Sequence, residues 1–503
     1  MNLGDIPRRN ARRYPHRVGL VFEDVRLTWA EVDERVNRLA NALGVERGER
    51  VAILGENDHR YLESYWALAK LGAIAVPLSY RLLDQDLVTL IEHSEPVAIL
   101  AGRGYEETAR RLGVDRVICF DGDYEPLLAS STPTEPEPRA GADDPFAIMY
   151  TSGTTGLPKG ALVTHGNLES NAYNQAIADK ADPRDVNLTA TPLYHMGALF
   201  MTTTYTCLGC TNVILERFDE DAVLHAIAAE RATTCLLVPT MLNRVLNHPE
   251  LASHDLSSLR LMFYGGATIP SPLLRRAIDA FGCAFTQGYG LTETIEATFL
   301  TAEDHVLDGD PERERRLASA GREAVNAEVR IVDEDGVELP PGEVGEIAIR
   351  SPSVIREYWR APEETRAAIR DGWFFTGDVG YRDEAGYLFV VDRKKDVIIS
   401  GGTNVFPKEV EEALFAHPAV LEAAVIGLPD DEWGEAVTAV VVLRAGHSAD
   451  ERELIAHCGE RVAGFKKPKS VRFVETLPRN PSGKVLKREL RERFRGTLAG
   501  STR

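Results

Sequence analysis

The sequence predicts an α/β protein: a large N-terminal region of α/β subdomains with a β-rich part, then a small, separate α+β domain. Three observations carry this. From about Arg26 to Leu100, segments with apolar residues at helical spacing alternate with short apolar runs. From Ala327 the text becomes strand, acidic-glycine turn, strand, and from about Asp396 helices and strands follow in a third style.

Taken in order, "LTWAEVDERVNRLANALG" reads as a helix and "RVAILG" as a short buried strand; "RYLESYWALAKLGAIAVPL" repeats helix, glycine and strand. Proline and acidic residues in "SSTPTEPEPRAGADDP", Ser130 to Pro145, rule out a regular element and predict a surface loop. The strand "FAIMYTSG" comes next, and "TNVILERF", "TTCLLVPTMLNRVL" and "LRLMFYGGA" continue the α/β series to about Gly290. "AEVRIVDEDGVELPPGEVGEIAIRSP" reads as two strands about an acidic turn. In the last hundred residues, "FPKEVEEALFAHPAV" predicts a helix, "LEAAVIGLPD" and "EAVTAVVVL" strands, "SADERELIAHCGERVA" a helix opened by a Ser cap, and "KSVRFVETLP" a strand. No internal repeat is visible.

A chain of 503 residues, 44% hydrophobic and 27% charged, is too long for one ordinary core and too apolar to be disordered. Its net charge of -20 opposes nonspecific nucleic-acid binding, which needs clustered Lys and Arg. An anionic small substrate would require a local positive site or a metal ion. No run approaches the length of a membrane span, and "MNLGDIPRRNARRYPHR" lacks a signal peptide's apolar core, so a cytoplasmic protein without an integral membrane segment is expected. The six cysteines are scattered; the "CLGC" pair Cys207 and Cys210 has no second pair or histidine cluster to complete a zinc site, and reads as buried small hydrophobes.

The segment with the densest chemistry is "YTSGTTGLPKG", Tyr150 to Gly160. It departs from the Walker A pattern, since Lys159 is followed by Gly160 and not by Ser or Thr. It does offer glycines at positions 153, 156 and 160, hydroxyls at Thr151, Ser152, Thr154 and Thr155, and one cation, Lys159. Such a loop can wrap a polyphosphate with hydroxyls and exposed N–H groups; a surface turn is the plainer alternative.

"YTSGTTGLPKG" resembles the signature of the adenylate-forming superfamily, which includes acyl-CoA synthetases, luciferases and nonribosomal peptide adenylation domains. Further motifs follow in that family's order: "TPLYHMGAL", "YGGATIP", "QGYGLTE", "GWFFTGDVG", "DRKKDVIISGGTNVFPKEVE" and "PRNPSGKVLK". The resemblance implies an ATP- and Mg²⁺-dependent acid–CoA ligase with an adenylation domain over 1–394 and a mobile C-terminal domain over 395–503. It assigns Thr151 to Lys159 to the ATP phosphates and Thr151 with Glu293 to Mg²⁺. Gly265, Gly266, Ala267, Gln287, Gly288 and Tyr289 would form the adenine pocket, Thr292 would also bind ATP or AMP, and Asp378 with Arg393 would hold the ribose. Lys484 would bridge carboxylate and α-phosphate during adenylation, where one cation relieves the repulsion between two anions.

By the same resemblance Lys395 is the hinge, and Ser400, Gly401 and Gly402 form a turn beside the CoA path. His195 would gate the acyl pocket without acting as a general base, because carboxylic acids are already ionised at neutral pH. Met196, Gly197, Thr294 and Ile295 would line that pocket with Gly265 and Gly288. Glu296 follows them, either buried to meet a polar group or exclude anionic tails, or facing outward. The pocket suits an apolar medium, long or cyclic acid. Transfer to an amine or carrier protein, a non-catalytic adenylate-binding scaffold and a homodimer stay open.

Overall fold

The first long amphipathic segment folds as Trp29–Leu43, and its ends follow from its sequence. Thr28 and Glu31 make a reciprocal capping box, and Gly44 closes the helix in the left-handed region at φ 58°. The next helix, His59–Leu71, is buried along its whole length. Its internal Glu63 is compensated by His59 Nδ1 at 2.7 Å, by the Arg35 guanidinium at 2.9 Å and by the Tyr124 hydroxyl at 2.8 Å.

The computed structural model describes residues 1–137, 140–151, 158–267, 269–430, 432–479 and 485–495. The chain divides into two compact units: Met1–Val329 with Ile349–Phe374, and Arg330–Ala348 with Phe375–Arg503. The expected hinge, Lys395, therefore lies inside the second unit. Among the described residues no helix is long and apolar enough to cross a membrane.

Among the described residues two sheets lie wholly in the first unit. A six-stranded sheet runs in the order Val117–Cys119, Ala98–Ala101, Arg50–Leu54, Ile74–Leu78, Pro145–Thr151, Lys159–Thr164. It is parallel up to Pro145–Thr151, and Lys159–Thr164 is added antiparallel. The nine-stranded sheet has the order Arg322–Glu323, Ile295–Leu300, Ala284–Leu291, Leu261–Gly265, Thr234–Leu236, Val186–Thr189, Thr211–Ile214, Val18–Phe22, Val25–Thr28. From Ala284–Leu291 to Val18–Phe22 its pairings are parallel. Chain order reverses at Val186–Thr189, which has Thr211–Ile214 on one side and Thr234–Leu236 on the other. In open α/β sheets a ligand crevice forms outside the carboxyl ends of the strands at such a point.

In the second unit, Val420–Asp430 and Gly434–Leu443 make a long antiparallel pair, and the other edge of Gly434–Leu443 takes Ile398–Ser400 at Gly434 and, further along, parallel Ser470–Phe473. Helices Pro407–Phe415 and Glu451–Gly459 bury Val410, Leu414 and Leu454 against Val425, Val437 and Val441. Leu490, from helix Lys487–Phe494, joins Ala424, Ile426 and Val440 in a second cluster. One expectation is corrected: the helix Glu451–Gly459 is capped by Asp450 and not by a serine. Asp450 immediately precedes the first helical residue, and its carboxylate accepts from the Glu453 N–H at 2.8 Å.

Candidate active site

The strands Pro145–Thr151 and Lys159–Thr164 bracket the glycine loop, with Thr151 opposite Lys159 and Tyr150 opposite Gly160. Ser152 to Leu157, and with them the expected ligands Ser152, Gly153, Thr154 and Thr155, lie outside the described residues. The two ends of the loop are well defined. Thr151 Oγ1 donates to Glu293 Oε1 at 3.3 Å, and the Tyr358 hydroxyl donates to the same oxygen at 2.9 Å. The Lys159 ammonium stands 5.2 Å from the centre of the Tyr358 ring.

Backbone bonds hold this cluster together. The Ile355 N–H donates to Glu293 O at 2.8 Å and the Trp359 N–H to Gly160 O at 2.7 Å. Gly160 is required at that approach: a Cβ there would stand 2.7 Å from Ile148 Cγ2. Thr151 and Glu293 offer a hydroxyl and a carboxylate oxygen, the hard donors that Mg²⁺ takes, so the residues present fit the expected ion. Tyr358 is the participant that the sequence reading misses. It lies 65 residues after Glu293, and the aromatic pair in "REYW" before a proline-started helix is its only local signal.

The expected adenine-binding residues gather at the carboxyl end of strand Leu261–Gly265. Tyr264 pairs with Gln287 and Gly265 with Gly288 on the neighbouring parallel strand. Gly266 and Ala267 then leave the sheet and are exposed, while Gln287, Tyr289 and Thr292 are half-buried along the next strand and its turn. Open backbone beside a half-buried tyrosine is a surface on which a flat base can stack.

The acyl-pocket candidates begin at His195, which follows the strand Val186–Thr189 and forms the N-cap of helix Met196–Leu208. Its Nε2 is shielded and has no partner among the described residues. Desolvation, with the Arg81 charge second, pushes its pKa down to about 4, leaving a neutral ring at pH 7. Met196 is buried, and Gly197 leaves its helix face open toward Leu236 Cδ1, 3.8 Å from where a Cβ would stand. Thr294 is fully buried and its hydroxyl serves the turn itself, accepting from the Leu291 N–H at 2.9 Å and donating to Ile295 O at 3.1 Å.

Ile295, 1% exposed, has φ 52°. A β-branched side chain in the left-handed region stores about 1–3 kcal/mol of strain, a cost that tends to occur at functional sites. Here it accompanies the bulge at Tyr289/Gly290 and sets the direction of the strand that follows. Glu296, left open between two orientations by the sequence, is buried at 8% exposure, and its Oε2 has no partner among the described residues.

In the second unit, Asp378 and Arg393 are direct antiparallel partners, and Arg393 Nε meets Asp378 Oδ1 at 2.6 Å. Asp378 is buried, so the ribose candidates come as a preorganised ion pair. Lys395 sits in the 3₁₀ turn Lys394–Asp396, and Asp396 Oδ1 accepts from Arg491 at 2.7 Å. Ser400, Gly401 and Gly402 form the tight turn between Ile398–Ser400 and Thr403–Val405, the two glycines having φ 59° and 77° as a primed hairpin turn requires. Lys484 lies outside the described residues.

A glycine loop framed by strands, a hydroxyl–carboxylate pair at its foot and an open base-stacking edge define a nucleotide-binding enzyme of the open α/β class. Comparison with known proteins makes this specific. The family model described as AMP-binding enzyme matches residues 7–359, and the AMP-binding enzyme C-terminal domain matches 409–484. The chain belongs to this adenylate-forming family, and within it to the acyl-CoA synthetase type. A feruloyl-CoA synthase of Amycolatopsis sp is 42% identical over 496 residues, covering 98% of this chain and 99% of that protein. The fatty acid–[acyl-carrier-protein] ligase ScoC of Streptomyces coeruleorubidus is 36% identical over 504 residues, covering 97% and 96%. Among solved structures, ATP-bound MatB from Rhodopseudomonas palustris superposes with a TM-score of 0.89 at 34% identity, covering 99% of this chain and 100% of that one.

Proposed function

We propose that this protein is an ATP-dependent acid–CoA ligase. A carboxylate cannot expel O²⁻, so the acid is first converted to a mixed anhydride. Its oxygen attacks the α-phosphate of ATP, pyrophosphate leaves, and acyl-AMP forms. The thiol of CoA then adds to the acyl carbonyl and AMP departs with its electron pair, leaving the thioester. The observation that carries this reading is the cluster of Thr151, Glu293 and Tyr358 at the foot of the glycine loop, in a chain that matches the family along nearly its whole length.

Thr151 and Glu293 would hold Mg²⁺, which when bound neutralises phosphate charge. Tyr358 orients the Glu293 carboxylate through its 2.9 Å hydrogen bond. Lys159 places its cation at the end of the loop, where the terminal phosphates are held and released. The Asp378 carboxylate takes the ribose hydroxyls, with Arg393 fixing its orientation. Lys484 bridges the two anions in the first step, and rotation about Lys395 brings the Ser400–Gly402 turn to the CoA thiol in the second. His195, neutral at pH 7, shapes the inner end of the acyl pocket without carrying charge into it. Met196, Phe200, Leu236 and Phe263 are buried side chains of one apolar cluster and favour an acid with a largely apolar body.

The relative ScoC favours a second acceptor: its name assigns the acyl group to a carrier protein. One experiment separates these. A panel of carboxylic acids is offered with ATP and Mg²⁺, and pyrophosphate release is measured with CoA, a pantetheine-bearing carrier protein or an amine as acceptor. Thioester appearing only with CoA supports the proposal. Product only with carrier or amine replaces it with the second reading, and silence across the panel rejects adenylation.

A further inference from the structure

Every position of the strand Ile295–Leu300 is buried, and one of them carries a carboxyl. Glu296 Oε2 is shielded from solvent, and no described residue donates to it. A Cβ built on Gly288 would stand 2.4 Å from this oxygen and 2.7 Å from Phe263 Cζ. The carboxyl therefore crosses the neighbouring strand where that strand has no side chain, at the edge of the Phe263 ring. Phe263 meets Phe200 edge-on at 5.8 Å, and Phe200 belongs to the helix that His195 begins. These elements carry the acyl-pocket candidates.

Other polar atoms around Glu296 are also unserved. Asn171 is fully buried; its Nδ2 donates to the Glu296 backbone oxygen at 3.3 Å, and its Oδ1 has no partner among the described residues. Thr286 lies two residues before Gly288, on the same face of its strand, and its hydroxyl is buried without a partner among the described residues. If the pocket handled hydrocarbon alone, an apolar residue at 296 would fill the space at lower cost.

The electrostatics agree with the packing. Desolvation first, and the Asp179 carboxylate second, push the Glu296 pKa up to about 8. At neutral pH the group is a carboxylic acid, able to donate and to accept. Phe263, Gly288, Gly290 and Asn171, which face it from the elements packed against it, carry no charge.

We propose that Glu296 is a specificity-determining residue of the acyl pocket, which hydrogen-bonds a hydroxyl group on the body of the substrate, so that hydroxylated acids are preferred over their unsubstituted counterparts. The proposal rests on the acid-ligase reading above. A hydroxyl donates and accepts in the same way as the neutral carboxyl does. A second carboxylate on the substrate would be buried where Phe263, Gly288, Gly290 and Asn171 offer no cation, so dicarboxylic acids are disfavoured.

The test compares the wild type with Glu296→Gln and Glu296→Leu on two acid pairs, 4-hydroxycinnamate with cinnamate and 10-hydroxydecanoate with decanoate. Thioester formation gives kcat and KM for each, and thermal melts check that the variants fold. The wild type is expected to prefer the hydroxylated member of at least one pair by about 10-fold or more in kcat/KM. Glu296→Leu is expected to abolish that preference, lowering kcat/KM for the hydroxylated acid about 10- to 100-fold more than for the plain acid. Glu296→Gln, which keeps a donor and an acceptor, retains most of the preference. An equal loss on both members of a pair, a preference that survives Glu296→Leu, or a wild type without preference overturns the proposal and leaves the ligase reading standing. A wild type that adenylates none of the acids overturns both.

Discussion

Replacing Glu296 by glutamine should change how stability depends on pH, and the sign is opposite to that of an ordinary surface carboxylate. With its pKa at about 8 in the folded protein against an ordinary value of 4.5, the folded state keeps the proton after the unfolded chain has released it. The resulting destabilisation is absent below the unfolded pKa, grows as pH rises, and is complete above the folded one. At 1.36 kcal/mol per unit, the wild type should lose roughly 3 kcal/mol relative to Glu296→Gln between pH 5 and pH 8. Asp179, whose pKa burial pushes up to about 7, titrates in both proteins, so it largely cancels in the comparison. The buried amide of the variant adds an offset that does not depend on pH. In thermal melts from pH 5 to pH 8, Glu296→Gln should gain roughly 3–6 °C on the wild type across that range, scaling the usual shift per kcal/mol to a unit of this size. Parallel melting curves would refute the reasoning, because they would mean that the carboxyl does not hold its proton in the folded state.

Tyr358→Phe keeps the ring beneath Lys159 but removes the hydroxyl that orients Glu293. Because hydrogen bonds to charged groups contribute about 1.5–3 kcal/mol, the KM for Mg²⁺·ATP in pyrophosphate release should rise about 10-fold or more while the KM for the acid stays put; unchanged nucleotide kinetics would remove Tyr358 from the site. Lys395→Pro should slow thioester formation more than acyl-adenylate formation, since a fixed φ limits rotation and not the first step. Equal rates for the variant and the wild type in both half-reactions would take the hinge away from Lys395.

Local chemistry made much of this molecule legible. Apolar runs and helical spacing placed the strand Pro145–Thr151, the helix Trp29–Leu43 and the C-terminal α+β elements, because each is specified by a few neighbouring side chains. What escaped was set by distant pairing. Nothing near Val18–Phe22 announces that it joins Thr211–Ile214 in the nine-stranded sheet, or that Tyr358 reaches Glu293. Ile295 was named for its place in a motif, but its positive φ runs against the preference of a β-branched residue and comes from the bulge of the facing strand. Ser448 and Asp450 are both good N-caps, and only the helix boundary decides for Asp450. Glu296 could be flagged but not oriented, because strand periodicity breaks at the turn before it.

The central claim is that one carboxyl group passes through two half-reactions, the first at the α-phosphate of ATP and the second at the acyl carbonyl, and that only the first depends on Lys484. The most direct measurement pairs them in the wild type and in Lys484→Ala: pyrophosphate release from acid and ATP, and thioester formation from a supplied acyl-adenylate and CoA. The account predicts AMP and pyrophosphate, not ADP and phosphate, as wild-type products. It also predicts a loss of about 100-fold or more in the first reaction for the variant, with the second kept within a few-fold. ADP as the product, or a variant impaired equally in both reactions, would contradict it.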